Sequence, residues 1–197
     1  IRRFNRFCKL QRTSMSTILH ITPYLQLHTA RMSDAGEMYA LIDNNRDYLR
    51  RWLPFIDATT AVTDSEAYLS MVEEQAGRNP VFVIRFYGQL VGLAGFKDTD
   101  FDNLRTEIGY WLAEDFQHKG IMTSCVRTLV DFAFSDMGMH RIQIRVAEGN
   151  TSSRKIPLRL GFQKEGVERD GEMLEPGRFV NLEVFSLITS AQYSSRT

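Results

Sequence analysis

The sequence predicts an α/β (α+β) domain with a mixed, mostly antiparallel sheet of about seven strands and about four to five helices. Three observations predict this class. Several short stretches alternate apolar and polar residues, and hairpin signals such as Tyr87-Gly88-Gln89 join them. Between these stretches lie segments with apolar residues at helical spacing. A long helix connects the strand at 107–113 to the strand at 139–147, so these two should be parallel neighbours.

Length and composition indicate a single domain, which we place in residues 17–197. A chain of 197 residues, 43% of them hydrophobic, can bury one sizeable core. The 24 basic and 24 acidic residues give zero formal net charge. No overall field therefore favours nucleic acid or a membrane surface, and we expect neither partner. No apolar run approaches the ~20 residues of a membrane span, so the expected compartment is a reducing cytoplasm.

The cysteines and histidines give no sign of a disulfide or a metal site. Cys8 and Cys125 are far apart and lack metal-ligand spacing, and we expect no metal. Cys125 falls on the apolar face of a helix, which indicates a small buried hydrophobe rather than a nucleophile. The four histidines are scattered along the chain: His20, His28, His118 and His140.

Residues 1–16 are kept apart from the fold. They are rich in arginine, and no acidic residue appears before Asp34. Such a start is typical of a mitochondrial transit peptide. Vector-derived or upstream-translated sequence is the alternative, and we prefer it because the chain opens with Ile and Met15 could be the natural start.

The first half of the chain reads as one strand followed by helices. The strand is predicted at 24–29, and Ser33-Asp34 is a candidate N-cap for the helix that follows. The aromatic-rich segment 46–55 can form a second helix, which Pro54 would end. Thr63 and Glu66 have the spacing of a capping box for a third, which should stop at Gly77.

The second half supplies most of the sheet. Strands are predicted at 80–86, 90–96 and 107–113 as an antiparallel meander, with 139–147 beside the last of them. A short helix covers 151–160. Two further strands, 162–168 and 179–188, are joined by a loop at 170–177 that is rich in Gly and Glu.

The junction between the 107–113 strand and the long helix is the candidate for phosphate binding. Apolar residues recur at helical spacing from Ile121 to Phe132, so the helix begins near Gly120. The first turn of a helix leaves backbone N–H groups unpaired and carries partial positive charge. A glycine there lets the backbone approach an anion closely, and the loop is interpreted as a diphosphate cradle.

Two motifs resemble a known family. The run E-I-G-Y-W-L-A-E-D-F-Q-H-K-G-I-M at 107–122 resembles the acyl-CoA-binding motif Q/R-x-x-G-x-G/A of the GNAT acetyltransferases. The run N-T-S-S-R-K-I-P-L-R-L-G-F-Q-K-E-G at 150–166 resembles their second signature. Both are similar to the RimJ/RimL branch, the ribosomal-protein N-terminal acetyltransferases. Met122 departs from the pattern, since the family usually has Gly or Ala there. Only the backbone N–H of this residue is needed to bind the cofactor, so a larger side chain is compatible with the motif.

The resemblance implies a GNAT fold, with the sheet splayed between its two parallel central strands, and acetyl-CoA as the acyl donor. It implies that a β-bulge at the end of the 107–113 strand frees backbone N–H groups, with Leu112 N–H as the candidate oxyanion donor. The residues that it implies for cofactor binding are Leu112, Gln117, His118, Lys119, Gly120, Ile121, Met122, Thr123, Asn150 and Ser153.

Glu107 is a candidate catalytic base. A carboxylate at the start of that strand could take the amine proton directly or through one water. The alternatives are a solvated glutamate at a strand edge, or an ion pair with Arg105 or Arg141. Both readings stay open.

Ser153 is the candidate proton donor to the leaving thiolate. On residue type alone, Asn150 and Ser153 are ordinary helix caps. Many GNAT enzymes use a Tyr of this helix as general acid, but the corresponding residue here is Pro157. The donor would then be Ser153, a water that it holds, or no group at all. Pro157 also leaves the Ser153 carbonyl without its helix partner.

Trp52 and Tyr110 are the candidate acceptor-binding residues, although an aromatic at helical spacing is more often part of a core. The expected function is acetyl transfer from acetyl-CoA to an amine by direct attack, with a protein N-terminal α-amine as acceptor. Alternatives are a small-molecule amine, such as a polyamine or aminoglycoside, and a non-catalytic acyl-CoA-binding module. A homodimer is compatible with the sequence.

Overall fold

The computed structural model describes residues 17–189, so the predicted extension at 1–16 lies outside the described residues. Within them the chain forms one eight-stranded sheet: β1 Ile18–Thr22, β2 Leu25–Thr29, β3 Val81–Phe86, β4 Gln89–Asp100, β5 Arg105–Leu112, β6 Arg141–Ala147, β7 Gln163–Glu175 and β8 Arg178–Ile188. Five α-helices accompany it: α1 Ala35–Asp43, α2 Arg46–Leu49, α3 Val62–Gln75, α4 Ile121–Ser135 and α5 Thr151–Arg159. Short 3-10 turns precede α1 and α4.

The sheet is mixed and mostly antiparallel, as the sequence predicts. Its strand order is β1-β2-β3-β4-β5-β6-β8-β7. The β5–β6 pair is parallel, and every other neighbouring pair of the described sheet is antiparallel. The expectation that α4 connects two parallel neighbours is therefore confirmed.

Two strands differ from the prediction, and the sheet has eight strands rather than about seven. β1 was not predicted, because its alternation is weak. It is the edge strand of the sheet and pairs with β2. β7 continues to Glu175 through most of the segment predicted as a loop at 170–177. It lacks apolar periodicity because most of its residues are exposed, and pairing with β8 maintains its extended backbone.

The start of α3 also corrects a prediction. Thr63 and Glu66 were expected to form its capping box, but the helix begins at Val62 with Ala61 in the N-cap position. The Asp64 carboxylate performs the capping instead, since it accepts hydrogen bonds from the N–H groups of Thr60 and Ala61 at 2.7 and 2.9 Å. These bonds lower the pKa of Asp64.

Helices cover both faces of the sheet. Phe82 and Ile84 of β3 belong to a core cluster with α4, whose Cys125 and Leu129 are fully buried. Val83, between them, points to the other face and joins a second cluster with α1 and α3. Strand alternation thus divides the core into two layers. In the described part of the chain no helix is long and apolar enough to span a membrane.

Candidate active site

The loop before α4 has the geometry expected of an anion site. Gly120 occupies the N-cap position with φ +74°, and His118 is also left-handed at φ +62°. Because Gly120 has no side chain, no side-chain group caps the helix. The first-turn amides of Ile121, Met122 and Thr123 cannot find partners within the helix, so this end of α4 can donate to an anion.

The side chains of the predicted cofactor-binding loop have different environments. Ile121 and Met122 are buried in the core, at 3% and 6% exposure, so they would contribute to an anion site through their backbone N–H groups. The Gln117 side chain donates to the Leu112 carbonyl at 3.3 Å and lines a cleft. Lys119 is exposed, with its ammonium 5.1 Å from the centre of the Phe116 ring.

β5 and β6 separate toward α4, which creates the predicted splay. The parallel ladder contains three pairs, from Arg105 with Arg141 to Glu107 with Gln143. Beyond Glu107, β5 remains paired with β4 in regular register as far as Leu112. The expected β-bulge at this end of β5 is therefore absent. The splay arises because β5 and β6 each remain paired with their outer neighbours while their own ladder ends.

The Leu112 amide points into this splay. The Ala113 amide donates to the Val91 carbonyl of β4 at 2.9 Å. Backbone amides alternate in direction along an antiparallel ladder, so those of Leu112 and Tyr110 point away from β4, toward the β6 side. This direction fits the predicted role of Leu112 N–H as an oxyanion donor, which stays a prediction.

Asn150, Ser153 and Tyr110 form a hydrogen-bonded group on the other side of the splay. Asn150 caps α5, because its Oδ1 accepts from the Ser153 N–H at 3.1 Å. The Tyr110 hydroxyl donates to the Ser153 carbonyl at 3.1 Å, and Ser153 Oγ donates to the Tyr110 hydroxyl oxygen at 3.2 Å. Pro157 lacks the N–H that would otherwise bond that carbonyl, so it leaves the acceptor available to Tyr110.

Two cavities meet at this group. The larger has a volume of about 590 Å³ and is partly open, and the smaller is a cleft of about 80 Å³. The cleft reaches Gln117 and Met122 at the start of α4. Six residues line both cavities: Trp52, Leu53, Tyr110, Trp111, Asn150 and Ser153.

Trp52 follows α2 and contributes to the walls of both cavities, as its predicted place beside an acceptor requires. Its indole lies against the β6–α5 connection, since a Cβ added at Gly149 would be 3.6 Å from Trp52 Cη2. Tyr110 was also predicted to bind the acceptor. Its hydroxyl is directed at Ser153, at the junction of the cavities.

Glu107 lines the larger cavity but is neither solvated nor paired with the expected partners. Its carboxylate is 6% exposed and forms ion pairs with Lys97 Nζ at 2.9 Å and Arg145 Nε at 2.7 Å. The expected alternatives, a solvated side chain or a pair with Arg105 or Arg141, were wrong. Strand register decides this, since Lys97 lies directly opposite Glu107 in the β4–β5 ladder.

The sequence analysis missed two carboxylates of the larger cavity, Asp64 and Glu172. Asp64 is occupied in capping α3, where it accepts from Thr60 and Ala61 N–H, so Glu172 is the candidate of interest. It lies on β7, in the segment predicted as a loop, and it lines the larger cavity. Among residues 17–189 no ion-pair partner of its carboxylate is present. No sequence signal could have found it, because its position depends on the pairing of β7 with β8 at the end of the sheet.

Cys125 behaves as predicted. It is fully buried on α4, and burial raises the pKa of its thiol to about 12, so it stays a neutral thiol. Within the described residues no group of three or more His, Cys, Asp or Glu side chains could hold a metal ion.

Comparison with known proteins agrees with this geometry. The acetyltransferase (GNAT) domain family matches residues 25–163. The putative ribosomal N-acetyltransferase YdaF of Bacillus subtilis is 34% identical over 154 residues, covering 77% of this chain and 84% of that protein. The ribosomal-protein-serine acetyltransferase of Escherichia coli is 26% identical over 162 residues, covering 81% of this chain and 90% of that protein.

Solved structures share the fold. The microcin C7 self-immunity acetyltransferase MccE, in complex with acetyl-CoA and AMP, superposes with a TM-score of 0.83 at 24% identity, covering 90% of this chain and 99% of that one. RimL, a ribosomal L7/L12 alpha-N-protein acetyltransferase in complex with coenzyme A, gives 0.85 at 22% identity, covering 89% and 99%. The splayed strands and the open helix end are the features that the sequence resemblance implied, and the family match covers most of the chain. The chain therefore belongs to the GNAT acetyltransferase family.

Proposed function

We propose that this protein transfers the acetyl group of acetyl-CoA to a protein N-terminal α-amine. One observation carries the proposal: the cleft at the start of α4 and a partly open cavity of about 590 Å³ share six wall residues. A thioester entering from the helix end and an amine entering from the cavity would meet at these residues. A partly open cavity suits a peptide, whose chain must leave the site.

The relatives support the donor and the class of acceptor. MccE and RimL have been solved with acetyl-CoA and with coenzyme A. YdaF and the Escherichia coli serine acetyltransferase are named for ribosomal proteins. A spermidine N(1)-acetyltransferase of Escherichia coli is 25% identical over 126 residues, which keeps the alternative of a small polyamine acceptor in the test.

The proposed reaction is direct attack. The amine nitrogen bonds to the thioester carbonyl carbon, and the Leu112 N–H is directed to stabilise the oxyanion that forms. Glu107 is held by two cations, and protonating it would forfeit both ion pairs. Glu172 has no such partners in the described structure, so we assign it as the group that takes the amine proton, directly or through one water. The assignment of Glu107 from sequence stays a competing prediction.

A cytoplasmic location completes the proposal, and the relatives named for ribosomal proteins support it. A homodimer remains compatible with it. Neither is needed for the reaction described.

The test is an acetyl-CoA turnover screen that detects free thiol. The acceptors are peptides with free N-terminal serine or alanine, the same peptides with an acetylated N-terminus and an internal lysine, a polyamine and an aminoglycoside. We expect thiol release with the free N-termini and none with the blocked peptides. Release with the polyamine or aminoglycoside alone would establish the small-amine alternative. No release with any amine, despite acetyl-CoA binding, would establish a non-catalytic acyl-CoA-binding module.

A further inference from the structure

The reacting atoms must lie where the two cavities meet. This inference rests on the proposed function, since it takes the thioester from the α4 end and the amine from the larger cavity. The shared wall has only two hydroxyl groups among the residues described, those of Tyr110 and Ser153. Any side-chain proton donor to the departing sulfur should therefore be one of these two.

The direction of the hydrogen bonds distinguishes them. A carbonyl can only accept, so the bond between Tyr110 and the Ser153 carbonyl uses the phenol hydrogen. The bond between the two hydroxyls must then use the Ser153 hydrogen, donated to the Tyr110 oxygen. The hydrogen bonds thus run from Ser153 to Tyr110, and Tyr110 is the last donor in this chain of hydrogen bonds. Rotation about its C–O bond can redirect the Tyr110 hydrogen while the bond from Ser153 is kept, whereas redirecting the Ser153 hydrogen would break that bond.

Pro157 keeps Tyr110 in this place. Because Pro157 has no N–H, the Ser153 carbonyl lacks a hydrogen-bond donor within the helix. The hydroxyl of Tyr110, on β5, donates to it instead. Burial raises the pKa of Tyr110, so the phenol is protonated near neutral pH. The same desolvation disfavours a free thiolate, which favours transfer of a proton to sulfur as the C–S bond breaks.

We propose that Tyr110 is the proton donor to the leaving thiolate, and that the hydrogen bond from Ser153 stabilises the phenolate left behind. As the tetrahedral intermediate collapses, the C–S electron pair moves to sulfur, and the phenol hydrogen of Tyr110 passes to it to give the free thiol. The phenolate oxygen continues to accept the hydrogen bond from the Ser153 hydroxyl, which stabilises its charge. Solvent then reprotonates the phenolate, and solvent has received the proton lost by the attacking amine through its base.

The test compares two tyrosines that both donate to a backbone carbonyl. Tyr110→Phe removes the donor in the active site. Tyr39→Phe is the matched control, because Tyr39 donates to the Thr60 carbonyl at 2.9 Å and lines neither cavity. We expect Tyr110→Phe to lower the single-turnover rate by about 10²-fold, the low end for general acid catalysis, since a thiolate leaves readily. Acetyl-CoA should still raise the melting temperature, and Tyr39→Phe should keep the wild-type rate.

Replacing each tyrosine by fluorotyrosine separates chemistry from packing. Fluorination acidifies the phenol with little change in shape, so it should alter the single-turnover rate at position 110 and leave it unaltered at position 39. The proposal is overturned if Tyr110→Phe is as fast as Tyr39→Phe. It is also overturned if Tyr110→Phe is slow but fluorination at 110 has no effect, which would indicate a positioning role. Absence of turnover by the wild-type protein with every amine would instead overturn the proposed function, and this inference with it.

Discussion

Replacing Glu107 by Gln tests whether its carboxylate has a structural or a catalytic role. The carboxylate is 6% exposed and contacts Lys97 and Arg145, whose side chains are 51% and 27% exposed. Breaking a buried ion pair costs about 3–5 kcal/mol, and we take about 3 because both cations are partly hydrated. For a domain of this size, a loss of about 3 kcal/mol in the free energy of unfolding lowers the melting temperature by about 6–12 °C.

The catalytic effect should be small by comparison. If Glu172 takes the amine proton, Glu107→Gln should lower kcat/KM by less than about tenfold below its melting transition. Glu172→Gln should lower it by about 10²–10⁴-fold with an unchanged melting temperature. That loss should shrink as pH rises, because more of the acceptor amine then arrives deprotonated. Glu175→Gln, on the same hairpin but outside the cavity, is the matched control.

The assay is thiol release between pH 6 and 10, with thermal unfolding of each variant. Our reasoning is refuted if Glu107→Gln retains its melting temperature but loses about 10²-fold in rate with rescue at high pH, while Glu172→Gln stays active. That result would establish the base assigned from sequence.

Three further predictions follow from other parts of the structure. Acetyl-CoA at a hundredfold excess over Kd should stabilise the wild-type protein against unfolding by about 2.7 kcal/mol, and Gly120→Asp should abolish this stabilisation. Gly120→Asn should retain most of it, because asparagine also tolerates the left-handed backbone. An equal loss of stabilisation in both variants would exclude a charge effect at the helix end. Trp52→Ala should raise KM for the acceptor more than Trp52→Phe does, as steady-state kinetics would show, because the indole forms part of both cavity walls. The ion pair with Arg141 lowers the pKa of Glu165 to about 2, so its stabilisation should be complete above the unfolded-state pKa of about 4.5 and lost as pH falls toward 2. Thermal unfolding of Glu165→Gln should show a weaker pH dependence across that window, and an unchanged dependence would contradict the assignment.

Local sequence determined the elements that build the donor side of the site. Alternation in β5 and helical spacing in α4 fix the junction at Gly120, because both patterns depend on residues adjacent in the chain. The crossover rule then makes β5 and β6 parallel neighbours. Pro157 likewise predicts an open Ser153 carbonyl, since the missing N–H is a property of the residue itself.

Tertiary structure decided which side chains meet. The partners of Glu107 come from β4 and β6, and the register of those strands, not spacing along the chain, places Lys97 and Arg145 beside it. Glu172 reaches the cavity on a strand that has no apolar periodicity and is held by pairing with β8. Tyr110 donates to the Ser153 carbonyl that Pro157 leaves open, although Tyr110 and Ser153 are 43 positions apart in the chain. Contacts of this kind depend on long-range packing, which local sequence patterns do not encode.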